Sequence, residues 1–164
     1  MTDSLRPPAS CSLAGGATGE VVNAMAAAVT DRRQPLGLVI TGEVEFWQSA
    51  LEQIVGSSLL TTYRARDDRE LLEVVGSGLV DAAVLDDIEG MIDVLQMLRM
   101  IRRLNAMLPV VIVTRRSDRR VLETALRLAA FSVVSKPLEL EPLLRQIQRI
   151  MERLDLMLRM RPRG

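Results

Sequence analysis

From Leu36 onward, hydrophobic and polar positions follow two alternating rhythms. Short apolar runs stand at Leu36–Ile40 (LGLVI), Ser58–Tyr63, Leu79–Leu85 (LVDAAVL), Leu108–Val113 (LPVVIV) and Phe131–Val134, each of strand length. The segments between them carry helical spacing. Glu43–Val55 places Phe46, Trp47, Ala50, Leu51 and Ile54 on one face, and Asp67–Val75 makes a short second helix. Ile88–Leu104 turns Ile88, Met91, Ile92, Leu95, Leu98, Ile101 and Arg102 inward; a fourth helix starts at a Ser117 or Asp118 cap and runs to about Ala129. Leu138–Met160 forms a long fifth helix.

Five strands alternating with five helices predict an α/β fold of flavodoxin-like (βα)5 type. Helical crossovers force neighbouring strands parallel, and near-continuous apolar strands require cover on both faces, so the sheet is doubly wound and five-stranded. The globular unit is expected over residues 36–151. Residues 1–35 form an N-terminal extension broken by Pro7, Pro8, Gly15, Gly16 and Gly19, with one Ala-rich helix at Glu20–Val29 or no order of its own. Residues 152–164 extend the last helix and end in a tail.

Composition narrows the chemistry. Hydrophobic residues make up 48% of the chain but aromatics only 2%, so the core is aliphatic. Acidic and basic residues balance at 21 each, which leaves no global field to draw the chain to nucleic acid or membrane. No apolar run reaches the ~20 residues of a membrane span, and no secretory start is present, so cytoplasmic residence is expected. Cys11 is alone, which excludes an intramolecular disulfide. The sequence has no histidine, which excludes phosphohistidine chemistry on this chain, His-based triads and most zinc or iron sites. Lys136 is the only lysine, among an arginine-rich basic set.

In parallel sheets, sites form beyond the carboxyl ends of the strands. There the sequence offers Thr41-Gly42-Glu43 after the first strand, Asp86-Asp87 after the third, Thr114 after the fourth and Lys136-Pro137 after the fifth. A carboxylate, a hydroxyl and an ammonium group therefore converge on one edge. VDAAVLD, LPVVIVT and AAFSVVSKP, in this order and with 28 residues from Asp86 to Thr114 and 22 from Thr114 to Lys136, resemble the receiver domains of two-component response regulators over roughly Leu36–Ile150. The resemblance implies a signalling module and not an ordinary enzyme. It gives Asp86 the post of phosphoacceptor, Thr114 that of switch hydroxyl, Lys136 that of phosphate-binding cation, and makes Lys136–Pro137 a candidate cis bond. It implies a Mg²⁺ ion near Asp86 and a histidine kinase or other signalling protein as partner. The family chemistry needs these types: a carboxylate to attack phosphorus, and a divalent cation with a fixed ammonium to balance the growing charge.

The departures are equally specific. The family places two acids after strand one to hold the magnesium; here the register brings Thr41-Gly42, with Glu43 next in line. The turn after Asp86 reads Asp87-Ile88-Glu89-Gly90, and Val133 stands where an aromatic is common. Magnesium binding, through Glu43 and Asp86, is therefore expected to be weak, and restoring the acids with Thr41→Asp and Gly42→Asp is expected to tighten it. The leading reading is a stand-alone, atypical receiver-like module, or pseudo-receiver, that works through protein contacts. A functional phosphoacceptor in a phosphorelay is the first alternative. Others are a flavodoxin-like cofactor binder, suggested only by Ile40-Thr41-Gly42, and a mainly dimerising adaptor.

Several polar residues have simpler readings. Asp81 is expected to cap the start of strand three, and Asp87 and Glu89 to lie in a solvated loop. Arg115, Arg116, Arg119 and Arg120 are read as a solvated helix face; DNA is not expected as a partner, because no recognition helix follows. The last helix carries Leu140, Leu143, Ile147, Ile150, Leu154 and Met157 at spacings of three and four, longer than one sheet can cover. Ile147, Ile150, Leu154 and Met157 are therefore assigned to a seam for a homodimer or a helical partner.

Overall fold

A computed structural model describes residues 34–88, 93–116 and 118–160, with Gly19, Glu20 and Asn23 of the leader. Those three leader positions are helical; the rest of the helix expected over Glu20–Val29 lies outside the described residues.

The element order is β1 (Leu36–Ile40), a 3-10 segment (Gly42–Trp47) running into α1 (Gln48–Val55), β2 (Leu60–Arg64), α2 (Asp68–Gly76), β3 (Ala82–Asp86), α3 (Val94–Leu104), β4 (Val110–Thr114), α4 (Arg119–Arg127), β5 (Ser132–Ser135) and α5 (Leu140–Arg159). The sheet order is β2-β1-β3-β4-β5, and every pairing is parallel. This is the flavodoxin-like α/β fold that the alternating pattern predicts. β1, β3 and β4 are buried throughout, whereas β2 and β5 close the two edges and are only partly covered.

The period of two along each strand separates two cores. Leu36, Leu38, Ile40, Val84, Val111 and Val113 face α1 and α5; Val39, Ala83, Leu85, Val110 and Ile112 face the layer of α2, α3 and α4. Arg102 of α3 ties down the opposite, N-terminal edge of the sheet. Its guanidinium donates to the carbonyls of Leu108 (2.7 Å), Ala129 (2.8 Å) and Leu128 (2.9 Å). Burial, and then the charge of Arg153, lower its pKa from the usual arginine value.

Three expectations change. The third helix does not start at Ile88: Asp93 caps it, its carboxylate accepting from the Leu95 N–H at 3.1 Å, and the helix begins at Val94. Glu89, Gly90, Met91 and Ile92, which the sequence pattern assigned to it, lie outside the described residues. β3 starts at Ala82 and not Leu79, because Asp81 closes a clip onto β1 by accepting from the Gly37 N–H at 2.9 Å while its own N–H donates to the Gly37 carbonyl at 2.7 Å. The last helix also needs correction. Ile147 and Ile150 are fully buried against this chain's own sheet, with Leu154 packed beside them, so they are core residues and not an intermolecular seam. What remains uncovered is the helix end: Leu156, Met157, Leu158 and Met160. Among the described residues, no helix is long and apolar enough to cross a membrane.

Candidate functional site

Strand order reverses at β1: β2 lies on one side of it, and β3, β4 and β5 on the other. The crevice beyond the carboxyl ends of β1 and β3 is the place where such a sheet leaves room for a site. Asp86 stands there at the end of β3, its residue only 3% exposed. Its backbone N–H donates to Thr41 Oγ1 at 2.9 Å, and Thr41 is itself buried. The hydroxyl of Thr41 thus serves the backbone of Asp86.

Gly42 follows with φ +59°, a left-handed conformation that favours glycine. A Cβ at this position would lie 2.6 Å from Asp86 Oδ2 and 2.8 Å from Asp86 Cβ. The bare backbone of residue 42 therefore fills the space beside the carboxylate.

On the other side, Lys136 Nζ forms an ion pair with Asp86 Oδ1; the two side chains are 5% and 0% exposed. The ammonium also donates to the Asp87 carbonyl at 3.3 Å. Lys136 is held in register by its own N–H, which donates to the Thr114 carbonyl at 3.0 Å, and the Lys136–Pro137 peptide is cis. Such a buried pair is weak evidence of net stabilisation, but removing one partner strands the other charge away from water.

Thr114, at the end of β4, does not donate to Asp86. Its hydroxyl donates to Asp87 Oδ2 at 2.7 Å and accepts from the Arg116 N–H at 3.0 Å. Arg116 grips the same carboxylate with both arms of its guanidinium, Nε to Oδ2 at 2.7 Å and Nη2 to Oδ1 at 3.1 Å. Asp87 is 9% exposed, so it is no solvated loop residue, and Arg116, which precedes the helix, is exposed as expected but spends its guanidinium on Asp87. Arg115, Arg119 and Arg120 do stay exposed, with Arg119 paired to Glu123. The signal for Asp87 was present in the pairing register: Asp86 stands opposite Val113, so the next residue along each strand direction brings Asp87 to Thr114.

Asp86, Thr114 and Lys136 thus share one edge, with Asp87 as the link between the hydroxyl and the ammonium sides. The donor set fits a divalent cation poorly. Magnesium asks for hard oxygens with open coordination directions. Here one Asp86 oxygen faces an ammonium, and both Asp87 oxygens face Arg116. Among the described residues, no three His, Cys, Asp or Glu side chains cluster as a metal site. The side chain of Glu43, the other candidate ligand, lies outside the described part.

The response regulator receiver domain is the family whose model matches the chain, over residues 39–148. No curated protein sequence matches it. Among solved structures, a two-component response regulator from Clostridium difficile is similar at a TM-score of 0.62 and 20% identity, over 73% of this chain and 98% of that one. A CheY-like receiver domain protein from Methanospirillum hungatei JF-1 gives a TM-score of 0.64 at 16% identity, covering 76% and 99% of the two chains. The receiver domain of the TMAO respiratory system response regulator TorR is 26% identical, with a TM-score of 0.61 and coverage of 73% and 98%.

Proposed function

The chain belongs to the receiver-domain family of the response regulators of two-component signalling, and within that family we propose that it is an atypical receiver acting by protein contacts, without efficient phosphorylation of Asp86. The observation that carries this reading is the pair Thr41-Gly42. Receiver domains typically bind Mg²⁺ at an acidic pocket; here one of the two positions is a hydroxyl spent on the Asp86 N–H, and the other has no room for a side chain. A phosphoryl group arriving at Asp86 would add negative charge beside a carboxylate that has lost the usual cation. Magnesium binding is weak on this reading, because one Asp86 oxygen already faces the Lys136 ammonium and both Asp87 oxygens are held by Arg116.

The alternative, a working phosphoacceptor, draws support from the Lys136–Asp86 contact, because the positive charge needed at the transferred group is in place. Incubation with acetyl phosphate and magnesium, followed by intact mass, separates the two. The proposal expects an unmodified wild type. A stoichiometric phosphoryl adduct that disappears in Asp86→Asn would overturn it. Histidine kinases and other signalling proteins are the partner class of the family. We assign contact with a helical partner or a second copy to the exposed end of α5, Leu156–Met160, and the site of action to the cytoplasm. Light scattering tests the self-association: a wild type that is already monomeric, and unchanged by Leu156→Glu with Leu158→Glu, speaks against a second copy.

A further inference from the structure

The residues that do most to organise this edge are Asp87 and Arg116, to which the sequence reading gave no role. Their contacts close a ring. The Asp87 carboxylate accepts from the Thr114 hydroxyl; the Thr114 oxygen accepts from the Arg116 N–H; the Arg116 guanidinium returns to both oxygens of Asp87. The anchor itself is fixed at the backbone, since the Asp87 N–H donates to the Val113 carbonyl at 2.8 Å and the Asp87 carbonyl accepts from Lys136.

A bidentate arginine–carboxylate pair combines charge with a defined planar geometry, which a single lysine contact lacks. Asp87 is nearly buried, so water competes little for its oxygens, although Arg116 keeps 41% of its side chain exposed. A hydroxyl has one hydrogen to donate, and Thr114 has given it to Asp87. Any other anion presented to Thr114 must displace a carboxylate already held by two guanidinium N–H groups.

We propose that Asp87 and Arg116 form an internal latch that fixes Thr114 and the β4–α4 loop in one arrangement, so that the start of α4 does not follow changes of charge at Asp86. A buried anion supplied by the chain itself occupies the hydroxyl, and the guanidinium ties the loop to β3. Beyond the latch, exposed Arg115, Arg119 and Arg120, and then Leu122 and Leu126 along α4, keep one presentation when the charge at Asp86 changes. The latch rests on the receiver reading only in taking Asp86 as the place where a change of charge would arrive.

The test is amide hydrogen exchange at residue 116, whose N–H the latch buries in a hydrogen bond to Thr114. Rates are corrected for the intrinsic rate of each side chain and compared with the strand amides of Val111–Val113 as a check on folding. Asp87→Asn and Arg116→Ala are expected to speed exchange at residue 116 about tenfold, the scale of one charge-assisted hydrogen bond. Arg116→Lys, which keeps the charge and loses the fork, is expected to fall between these and the wild type. Asp86→Asn strands Lys136 and lowers stability overall, so its exchange at residue 116 is read relative to the Val111–Val113 amides; on that relative scale it is expected to stay within about twofold of wild type. Unchanged exchange in Arg116→Ala, a partly exposed position whose truncation leaves the strands intact, would overturn the latch. So would Asp86→Asn loosening the loop as much as Asp87→Asn does. Phosphorylation is read separately, by mass at Asp86, so its outcome leaves this measurement standing.

Discussion

The two sides of the site edge are built on opposite plans, although they flank the same carboxylate. On the β1 side, Asp86 meets a neutral hydroxyl and a bare glycine backbone. On the β4–β5 side it meets an ammonium, and its neighbour Asp87 meets a guanidinium and a second hydroxyl. A site that holds a metal would carry its negative charge on the β1 side and leave coordination directions open. Here Asp86, at the end of β3, pairs with Lys136, and Asp87, just beyond it, pairs with Arg116. The comparison teaches that where the β1 loop presents no acid at residues 41 and 42, the carboxylates facing it are engaged by basic residues from the β4–β5 side.

Removing the charge on the β5 side is expected to have the largest effect. Lys136→Met removes the ammonium paired with buried Asp86, and breaking a buried pair by deleting one partner costs about 3–5 kcal/mol. Urea denaturation should show that loss, and the double variant Lys136→Met with Asp86→Asn should recover part of it. A Lys136→Met protein as stable as the wild type would mean that water reaches Asp86 freely, and the contrast between the two sides would fail.

The β1 side should resist repair. The sequence alone suggests that Thr41→Asp with Gly42→Asp restores a metal site; the geometry at Gly42 argues for the opposite outcome. A side chain at residue 42 must adopt φ +59° and pass a Cβ within 2.6 Å of Asp86 Oδ2. Gly42→Asp is therefore expected to destabilise by about 1–3 kcal/mol, from backbone strain and overpacking. Calorimetric titration with Mg²⁺ should show no tightening. A gain in magnesium affinity without loss of stability would show that the loop re-forms around the acid.

Thr41→Val probes the same side more gently. It keeps the shape and removes the acceptor for the Asp86 N–H, leaving a buried donor unsatisfied at a cost of about 1–2 kcal/mol. Thermal unfolding measures it, and Thr41→Ser, which retains the oxygen, should lose less.

The fold was legible because it depends on periodicity. β1, β3 and β4 are apolar up to the polar residues that end β3 and β4, and most buried helix residues fall at helical spacing, although Phe46, set on the inner face by that spacing, is 42% exposed. The site was legible at Asp86, Thr114 and Lys136 because each follows a strand that the pattern had already placed. The 3-10 turn after β1, the late start of α3 and the Asp87–Arg116 pair were not, since each depends on loop conformation and no hydrophobic period reports it. Ile147 and Ile150 were misassigned for a related reason. A stripe at spacings of three and four looks the same whether a neighbouring helix or the chain's own sheet covers it, and only the packing of α5 decides.

The smallest expected effect serves as the control for all the others. Arg119 and Glu123 pair at 2.7 Å on α4, one turn apart and close to the latch in sequence, but with 92% and 49% of their side chains exposed. An ion pair in that setting gains little from Coulomb attraction, because water and salt screen it and two long side chains must be ordered to make it. Glu123→Ala is therefore expected to change stability by no more than about 0.5 kcal/mol, and that small term should vanish at high salt. Lys136→Met should keep most of its cost under the same salt, since ions do not enter a pair whose side chains are 5% and 0% exposed. Equal salt sensitivity of the two variants, measured by urea denaturation at low and high ionic strength, would place Asp86 in contact with solvent. The distinction between a neutralised interior edge and an ordinary charged surface would then be lost.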